Sequence, residues 1–368
     1  MNLPKPPAPP RPPTAQMPGA SPLPASAPDA GRSGELAEWI TWIAEQHLRG
    51  CSPESMLTVM TARGLDREES ETAIELAPRH PLFLAARRQQ QQLRKLESVA
   101  VNLQLLWELD PTYGVIEKRS AVSEQEFFDR YVRGCRPVVL TGHTTDWPAM
   151  QRWSPADLKA RFGRLDVEVQ ADRKANPRYE EDKLAHRRTV RLGDFVDQVV
   201  AGGETNDYYL TANNEALRRP EFAPLLDDVG SLPPCCNRAE LAERSSFWFG
   251  PGGTVTPLHH DTLMLFHTQV VGRKRWRLIS PLQGPRLYNT EGVFSPIDLD
   301  AVDLDRFPLF KDVRVLEVVV EPGETMFLPL GWWHQVRALD MSLSFSYSNL
   351  ALPVANQFTY VDPQLPPA

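Results

Sequence analysis

The stretch Thr256–Asp261, TPLHHD, carries side chains that can bind a metal ion. Alternate side chains of an extended strand share a face, so we expect His259 and Asp261 to point together while His260 points the other way. A neutral imidazole and a carboxylate two residues apart can chelate one divalent metal ion. The spacing therefore predicts two ligands of a metal site, and a third ligand must come from elsewhere in the chain.

His334, in the segment GWWHQV, is the best candidate for the third ligand. It enters a predicted strand directly after Gly331, where the chain can turn tightly. His267 comes six residues after Asp261, which is too far along the chain to complete the same site. The remaining histidines considered lie in predicted helices or in polar, loop-like segments: His47, His80, His143 and His186. The alternative to a metal site is a buried His259–Asp261 hydrogen bond with His334 in the core.

The segment Arg273–Leu278 places a lysine on the apolar face of a predicted strand. Alternation groups Lys274 with Trp276 and Leu278, and puts the arginines on the opposite face. An ammonium on an apolar face costs several kcal/mol unless it is paired or hydrogen-bonded. The hairpin offers no obvious acidic partner, which favours a bound carboxylate. The alternative is that Lys274 lies at the strand end and extends its ammonium to solvent.

Composition and charge argue against several classes of function. The chain has 368 residues and a net charge of −7, whereas a general nucleic-acid-binding protein carries a surplus of basic residues. Its four cysteines show neither zinc-site spacing nor a disulfide pattern, so we expect a reducing, cytoplasmic location. No apolar run reaches about 18 residues and no apolar leader segment is visible, so neither a membrane span nor secretion is predicted.

The sequence divides into three segments of different character. Residues 1–33 are rich in proline and alanine and are predicted to form a disordered tail. Residues 34–110 show apolar residues at helical spacing, with helix starts at Ser52 and Asp66, and are predicted to form a helical region. Residues 111–368 combine helices with many short strands, which indicates a barrel or sandwich. The strands predicted there are Arg136–Thr141, Val167–Gln170, Asp207–Thr211, Phe247–Phe249, Met264–Val271, Lys274–Ile279, Val313–Val320, Thr325–Leu328, His334–Ala338 and Ser342–Ser348.

Two motifs, in order along the chain, resemble the two signatures of the cupin fold. The segment Gly253–Asp261 matches the first signature, with an aspartate where many cupins have a second histidine. The segment Gly323–His334 matches the second signature. The resemblance implies an α+β fold with a double-stranded β-helix (cupin, jelly-roll) core, flanking helices and a separate N-terminal helical region.

The chain is also similar, over roughly Pro111–Phe358, to the JmjC-like, cupin-8 group of Fe(II)/2-oxoglutarate-dependent oxygenases. The similarity lies in the segments TPLHHD, GRKRW and GWWHQV. It implies that two histidines and one carboxylate hold Fe(II) as a facial triad, namely His259, Asp261 and His334. It further implies that the co-substrate 2-oxoglutarate is bound by Lys274 at its distal carboxylate. Three more polar side chains are expected to contact the co-substrate: Thr256, Tyr209 and Asn349.

Within this group the motifs resemble those of the asparaginyl hydroxylase that acts on hypoxia-inducible factor. Leu265 stands where that enzyme has a polar residue near substrate and co-substrate, which weighs against an asparaginyl substrate. The resemblance implies a hydroxylase that uses Fe(II), 2-oxoglutarate and O2 on a protein or peptide side chain. The alternatives are N-methyl-lysine demethylation, hydroxylation of a small molecule or RNA, and an inactive cupin that serves as a binding module. We expect a protein or peptide partner, neither membrane nor nucleic acid, and leave a homodimer open.

Overall fold

The computed structural model describes residues 35–212, 214–233, 235–290, 292–352 and 356. The predicted Pro/Ala-rich tail, residues 1–33, lies outside these residues. The chain divides into two compact units, with the boundary between Ala100 and Val101. This boundary lies within a helix that continues to Glu108, whereas the composition placed the change of character after residue 110.

The first unit is helical, as the spacing of apolar residues predicts. Its helices are α1 Glu35–Arg49, α2 Pro53–Ala62, α3 Arg67–Leu76 and the larger part of α4 Pro81–Glu108. The helices α2 and α3 begin at the predicted residues, because Ser52 and Asp66 accept hydrogen bonds from main-chain N–H groups in the first turn. Each such cap stabilises a helix by about 1 kcal/mol. The core of this unit contains Trp39, Trp42, Ile43, Met56, Met60 and Ile74.

The second unit combines strands with short helices. Its strands are β1 Glu117–Arg119, β2 Val138–Leu140, β3 Asp166–Gln170, β4 Arg187–Arg191, β5 Ser245–Gly250, β6 Val255–His259, β7 Leu265–Val271, β8 Lys274–Ile279, β9 Leu316–Val320, β10 Thr325–Leu328, β11 Trp333–Ala338 and β12 Ser342–Tyr347. Its α-helices are α5 Glu124–Glu126, α6 Ala149–Arg152, α7 Pro155–Phe162, α8 Lys183–His186, α9 Leu192–Ala201 and α10 Ala223–Asp227. The helix α5 continues as a π-helix over Phe127–Arg133.

In the described residues the strands form two large sheets and one small sheet. The first large sheet has the order β1-β2-β10-β7-β12-β5, the second has the order β6-β11-β8-β9, and β3 pairs with β4. The β1–β2 pair is parallel and the other pairs are antiparallel. Residues from both large sheets line one cavity. This arrangement confirms the α+β fold with a jelly-roll core.

The strand β12 shows how the sequence builds the cavity wall. Its sequence SLSFSY alternates small serines with large apolar residues. Leu343 and Phe345 belong to the main hydrophobic cluster, together with Phe162 of α7 and Phe195 of α9. The serines therefore face the other side of the sheet, where their small side chains leave room for the cavity.

Two observed strands and one predicted strand show the limits of the pattern. The strands β1 and β4 have the sequences EKR and RRTVR, which contain no apolar alternation to mark them. Main-chain pairing with β3 and ion pairs such as Arg187 with Glu168 stabilise β4. The predicted strand Asp207–Thr211 forms isolated bridges, such as Tyr209 with Gln170, and not a continuous strand. Within the described residues, no helix is long and apolar enough to cross a membrane.

Candidate metal centre

Strand pairing brings two of the predicted metal ligands together. His334 of β11 is the direct cross-strand partner of His259 of β6, and the centroids of their rings are 4.0 Å apart. The strand β6 ends at His259, so Asp261 lies just beyond the strand and not within it as predicted. The main-chain oxygen of Asp261 accepts a hydrogen bond from Gly331, which has a φ of +73° and precedes β11. The tight turn thus brings the second motif next to the first.

The three side chains present ligand atoms to one point. One ligand atom from each of His259, Asp261 and His334 lies within 4.8 Å of the other two, and no other such cluster occurs in the part of the chain described. The Nε2 atom of His334 is 3.7 Å from the Oδ2 atom of Asp261. His260 instead packs its ring against Trp333, as expected for a side chain on the opposite face.

Hydrogen bonds fix which nitrogen of each histidine is free to bind a metal. His259 Nδ1 is 2.8 Å from the carbonyl oxygen of Pro257, and His334 Nδ1 is 3.0 Å from that of Trp332. A carbonyl oxygen only accepts, so each Nδ1 carries the proton and each Nε2 offers a lone pair. Metal-binding histidines in proteins are oriented in the same way. Both imidazoles are therefore in the tautomer that a metal ion requires.

Aromatic rings hold the two imidazoles in place and exclude water. Phe294 stacks on His259 at a centroid distance of 5.4 Å, and Trp276 stacks on His334 at 5.7 Å. Burial, and secondarily the neighbouring His259, lowers the pKa of His334 well below its usual range. The imidazole of His334 is thus neutral at pH 7, which is the form that binds metal ions. Two imidazoles and one carboxylate on one side of a cavity fit Fe(II) with open coordination positions.

The cavity beside this centre has a volume of about 470 Å³. His259, Asp261 and His334 line it, and so does Lys274. Two tryptophans, Trp248 from the first large sheet and Trp276 from the second, complete its apolar walls. The space is large enough for a small ligand next to a metal ion.

Lys274 is buried in the wall of this cavity, with 2% of its surface exposed. Its Nζ atom donates hydrogen bonds to Tyr209 Oη at 3.0 Å and to Ser344 Oγ at 2.7 Å, and it lies 3.3 Å from His267 Nε2. None of these partners is charged, and no carboxylate of the described residues forms an ion pair with it. Burial accordingly lowers the pKa of Lys274 from 10.5 to about 7. The alternative that its ammonium extends to solvent is wrong, and the site fits an anionic ligand.

The other predicted co-substrate residues divide into two groups. Tyr209 and Thr256 line the cavity. Asn349 is buried elsewhere, because its Nδ2 atom donates to the carbonyl oxygen of Asn237 at 2.7 Å. The strand β12 ends at Tyr347, and Leu350 then pairs with Cys236, so the chain leaves the cavity before residue 349. The structure therefore does not bring Asn349 to the other predicted residues.

Two residues that contact the ammonium of Lys274 were missed by the sequence interpretation. Ser344 contacts Lys274, and the alternation of serines in SLSFSY is the signal that could have found it. His267 was set aside as a metal ligand because it is distant along the chain from Asp261, and the ligand cluster does not include it. Gly272, with a φ of +72°, turns the chain between β7 and β8, so His267 and Lys274 meet across that turn.

Sequence comparison relates this chain to known proteins. The family described as Cupin-like domain matches residues 124–351. Lysine-specific demethylase 8 of Xenopus tropicalis is 31% identical over 239 residues, which cover 63% of this chain and 52% of that protein. Lysine-specific demethylase JMJ30 of Arabidopsis thaliana is 30% identical over 275 residues, covering 69% and 60% respectively. HSPB1-associated protein 1 of Bos taurus is 41% identical over 227 residues, covering 56% and 46%.

The chain spans about half the length of these curated relatives. The matched family segment covers most of the second unit, including the three clustered side chains of the metal centre and every strand of the two large sheets except β1. On this match and on its jelly-roll core, the chain belongs to the cupin-like domain family that includes JmjC proteins.

Proposed function

We propose that this chain is an Fe(II)- and 2-oxoglutarate-dependent oxygenase that hydroxylates a side chain of a protein or peptide. One observation carries the proposal: the buried, unpaired cation of Lys274 faces the same cavity as the His259, Asp261 and His334 cluster. A metal-binding cluster alone fits many enzymes. A cluster that shares its cavity with a buried ammonium fits a co-substrate that chelates the metal at one end and carries a carboxylate at the other.

The residues of the cavity have separate roles in this proposal. His259, Asp261 and His334 would hold Fe(II), which together with 2-oxoglutarate and O2 supplies the oxidising chemistry. Lys274 would bind the distal carboxylate, and the hydroxyls of Tyr209 and Ser344 keep its ammonium oriented. The indoles of Trp248 and Trp276 exclude water from the space between the two ends.

A co-substrate turnover assay tests the proposal directly. Purified protein with Fe(II) is expected to convert 2-oxoglutarate to succinate, and His259→Ala is expected to abolish this conversion. His80→Ala provides the matched control, because it removes an exposed histidine of the helical unit and should leave turnover unchanged. A protein that takes up metal but forms no succinate, with any protein extract added, would instead fit an inactive binding module.

N-methyl-lysine demethylation is the second candidate, and the names of two relatives favour it. The same site could oxidise an N-methyl carbon, but the hydroxylated product would then break down and release formaldehyde. Mass spectrometry of cell-extract peptides separates the two reactions. A gain of one oxygen supports hydroxylation, whereas loss of a methyl group with formaldehyde release supports demethylation.

Several finer points from the sequence stay predictions. These are the similarity to the asparaginyl hydroxylase of hypoxia-inducible factor, the cytoplasmic location and a homodimer. Hydroxylation of a small molecule or RNA is an outcome of the same mass-spectrometric test. The role of Thr256 at the co-substrate also stays a prediction, with its position in the cavity wall as support.

A further inference from the structure

His267 is a buried histidine beside the lysine of the cavity. It lies on β7, whose alternation directs Leu265 and His267 into the cavity and Phe266 into the hydrophobic cluster behind the sheet. Only 4% of its surface is exposed. The cluster of possible metal ligands does not include it.

The ring of His267 is held in one orientation. Its centroid is 5.1 Å from that of Trp276, with an interplanar angle of 72°, and 5.6 Å from that of Trp248, at 53°. Trp248 is itself fixed, because its Nε1 atom donates to Ser346 Oγ at 2.8 Å. Packing would explain a ring at this position. It does not explain an imidazole, since a buried ring nitrogen costs free energy unless it has a partner.

The partner of that nitrogen is Lys274. Nε2 of His267 lies 3.3 Å from the ammonium nitrogen, which can only donate, so Nε2 is the acceptor in the structure. The three hydrogen atoms of the ammonium thus reach Tyr209, Ser344 and His267. A carboxylate that binds Lys274 must replace one of these acceptors.

The three acceptors respond differently to such a carboxylate. The hydroxyls of Tyr209 and Ser344 can donate and accept at the same time, so they can contact both the ammonium and a carboxylate. A neutral imidazole nitrogen does one or the other, according to its tautomer. If the proton of His267 moves from Nδ1 to Nε2, Nδ1 becomes the acceptor, and Nε2 and the ammonium become adjacent donors. Two neighbouring donors, one of them charged, bind a carboxylate more strongly than a single donor does.

We propose that His267 is a binding residue for the distal carboxylate of the co-substrate and changes tautomer when that carboxylate arrives. In this proposal Nε2 of His267 accepts from Lys274 before binding and donates to the carboxylate afterwards. The inference depends on the proposed function, because it takes 2-oxoglutarate as the ligand. Its consequence is selectivity: His267 contributes to binding of 2-oxo acids with a second carboxylate and not to binding of those without one.

Equilibrium binding to Zn(II)-loaded protein tests this proposal without turnover. Quenching of the fluorescence of Trp248 and Trp276, which line the cavity, reports the ligand. We expect His267→Leu to weaken 2-oxoglutarate binding about 10- to 100-fold, the loss of one hydrogen bond to a charged group. His267→Gln keeps a side-chain donor and should lose less than about threefold. Pyruvate, which has no distal carboxylate, should bind wild type and His267→Leu equally.

Controls separate a binding role from a structural one. His186→Leu removes another buried histidine, which contacts the main-chain oxygen of Ala171 and lies outside the cavity, and should leave both affinities unchanged. Zn(II) affinity should be the same in wild type and His267→Leu. In 15N-labelled wild-type protein, addition of 2-oxoglutarate should convert Nε2 of His267 from an unprotonated to a protonated nitrogen by NMR, and pyruvate should not.

The possible outcomes test the proposed function and the proposed role of His267 separately. If Zn(II)-loaded wild type does not bind 2-oxoglutarate, the proposed function fails. If wild type binds it and His267→Leu binds it equally well, the role of His267 fails alone. An equal loss for His267→Gln and His267→Leu, or an equal loss for pyruvate and 2-oxoglutarate, would show that the ring only fills space.

Discussion

Lys274 is the residue whose charge has the largest consequences for the cavity. In an unfolded chain its ammonium is hydrated, whereas in the fold it is buried with only neutral acceptors around it. Removal of a charge from water is costly, and this cost is the reason that its pKa falls to about 7. A carboxylate in the cavity would pair with the ammonium and recover part of the cost. The residue therefore favours an anionic ligand at the expense of the stability of the ligand-free protein.

Co-substrate affinity is expected to decrease as the pH rises above about 7. Lys274 in the ligand-free fold has a pKa of about 7, below its ordinary 10.5, so it loses its proton in this range while a carboxylate would retain it. Affinity should fall by up to about tenfold per pH unit, and binding should take up a proton. Calorimetric titration of Zn(II)-loaded protein in buffers of different ionisation enthalpy measures both effects. The Lys274→Met variant should bind 2-oxoglutarate weakly at every pH. If the affinity of the wild type did not change with pH, the proposed role of Lys274 would be contradicted.

The stability of the ligand-free second unit should change with pH in the opposite sense. Between about pH 7 and pH 10 the unfolded chain keeps the proton of Lys274 and the folded chain does not. Since the unfolded state then binds more protons, the free energy of unfolding rises with pH over this window. Denaturant titrations at pH 7 and pH 9, compared between wild type and Lys274→Met, isolate the contribution. The variant should lack the part of the pH dependence that Lys274 causes.

Among the three side chains that would hold the metal ion, Asp261 supplies the only carboxylate. Asp261→Asn keeps the size of the side chain, so a loss of affinity can be ascribed to charge and to the ligand atom. We expect Zn(II) and Fe(II) affinity to fall by more than about 100-fold, since even outer partners of metal ligands contribute 10- to 100-fold. Metal titration followed by thermal unfolding checks this. Without metal, the variant should unfold at a temperature close to that of wild type.

At the scale of secondary-structure elements, β12 contributes Ser346 and Tyr347 to the wall of the cavity. Its serines leave space, while Leu343 and Phe345 on the opposite face pack into the core. Ser344→Val should weaken 2-oxoglutarate binding about tenfold, because it fills space and removes a hydrogen-bond partner of Lys274. Ser342→Ala is the matched control on the same face, where the hydroxyl is buried without a hydrogen-bond partner in the described residues. It should leave binding unchanged and stability unchanged or slightly higher.

The turn between β7 and β8 is expected to tolerate only glycine. Gly272 has a φ of +72°, and a Cβ atom there would lie 2.2 Å from the carbonyl oxygen of Met341. Gly272→Ala should lower the free energy of unfolding of the second unit by about 2 to 4 kcal/mol, from conformational strain and the close contact together. Gly142 has a similar φ of +80°, but no atom lies within 4 Å of a Cβ atom added there. Gly142→Ala should therefore lower the free energy of unfolding by only about 1 kcal/mol. Denaturant unfolding of both variants checks the difference.

At the scale of the whole molecule, the most reliable sequence predictions are those for motifs and strands whose residues lie close together along the chain. The cluster of His259, Asp261 and His334 follows from two local motifs, and β8 and β10 have the predicted bounds. Asn349 was predicted from the family resemblance, whereas β12 ends at Tyr347 and Asn349 contacts Asn237. His267 was set aside only as a metal ligand, and the ligand cluster does not include it; its contact with Lys274 depends on the turn between β7 and β8. Contacts that depend on turns and strand ends cannot be obtained from spacing alone.

Ligands should stabilise one unit of the chain and not the other. All residues of the metal centre and of the cavity belong to residues 101–368. Zn(II) with 2-oxoglutarate at 100 times its Kd should stabilise that unit by about 2.7 kcal/mol. Differential scanning calorimetry should therefore show one transition that moves to higher temperature and one that does not. Asp261→Asn should abolish the shift; an equal shift of both transitions would contradict independent units.

The register of β6 with β11 has a consequence for how the metal centre comes apart. Because His259 and His334 are cross-strand partners, separation of these two strands must divide the ligands between two independent segments. A bound metal ion would then act as a crosslink, and its release would require the local opening that also exposes the amide hydrogens of both strands. Bound metal should accordingly slow the hydrogen–deuterium exchange of the main-chain amides in β6 and β11. The exchange rate of the metal-bound protein should then match the rate of metal dissociation.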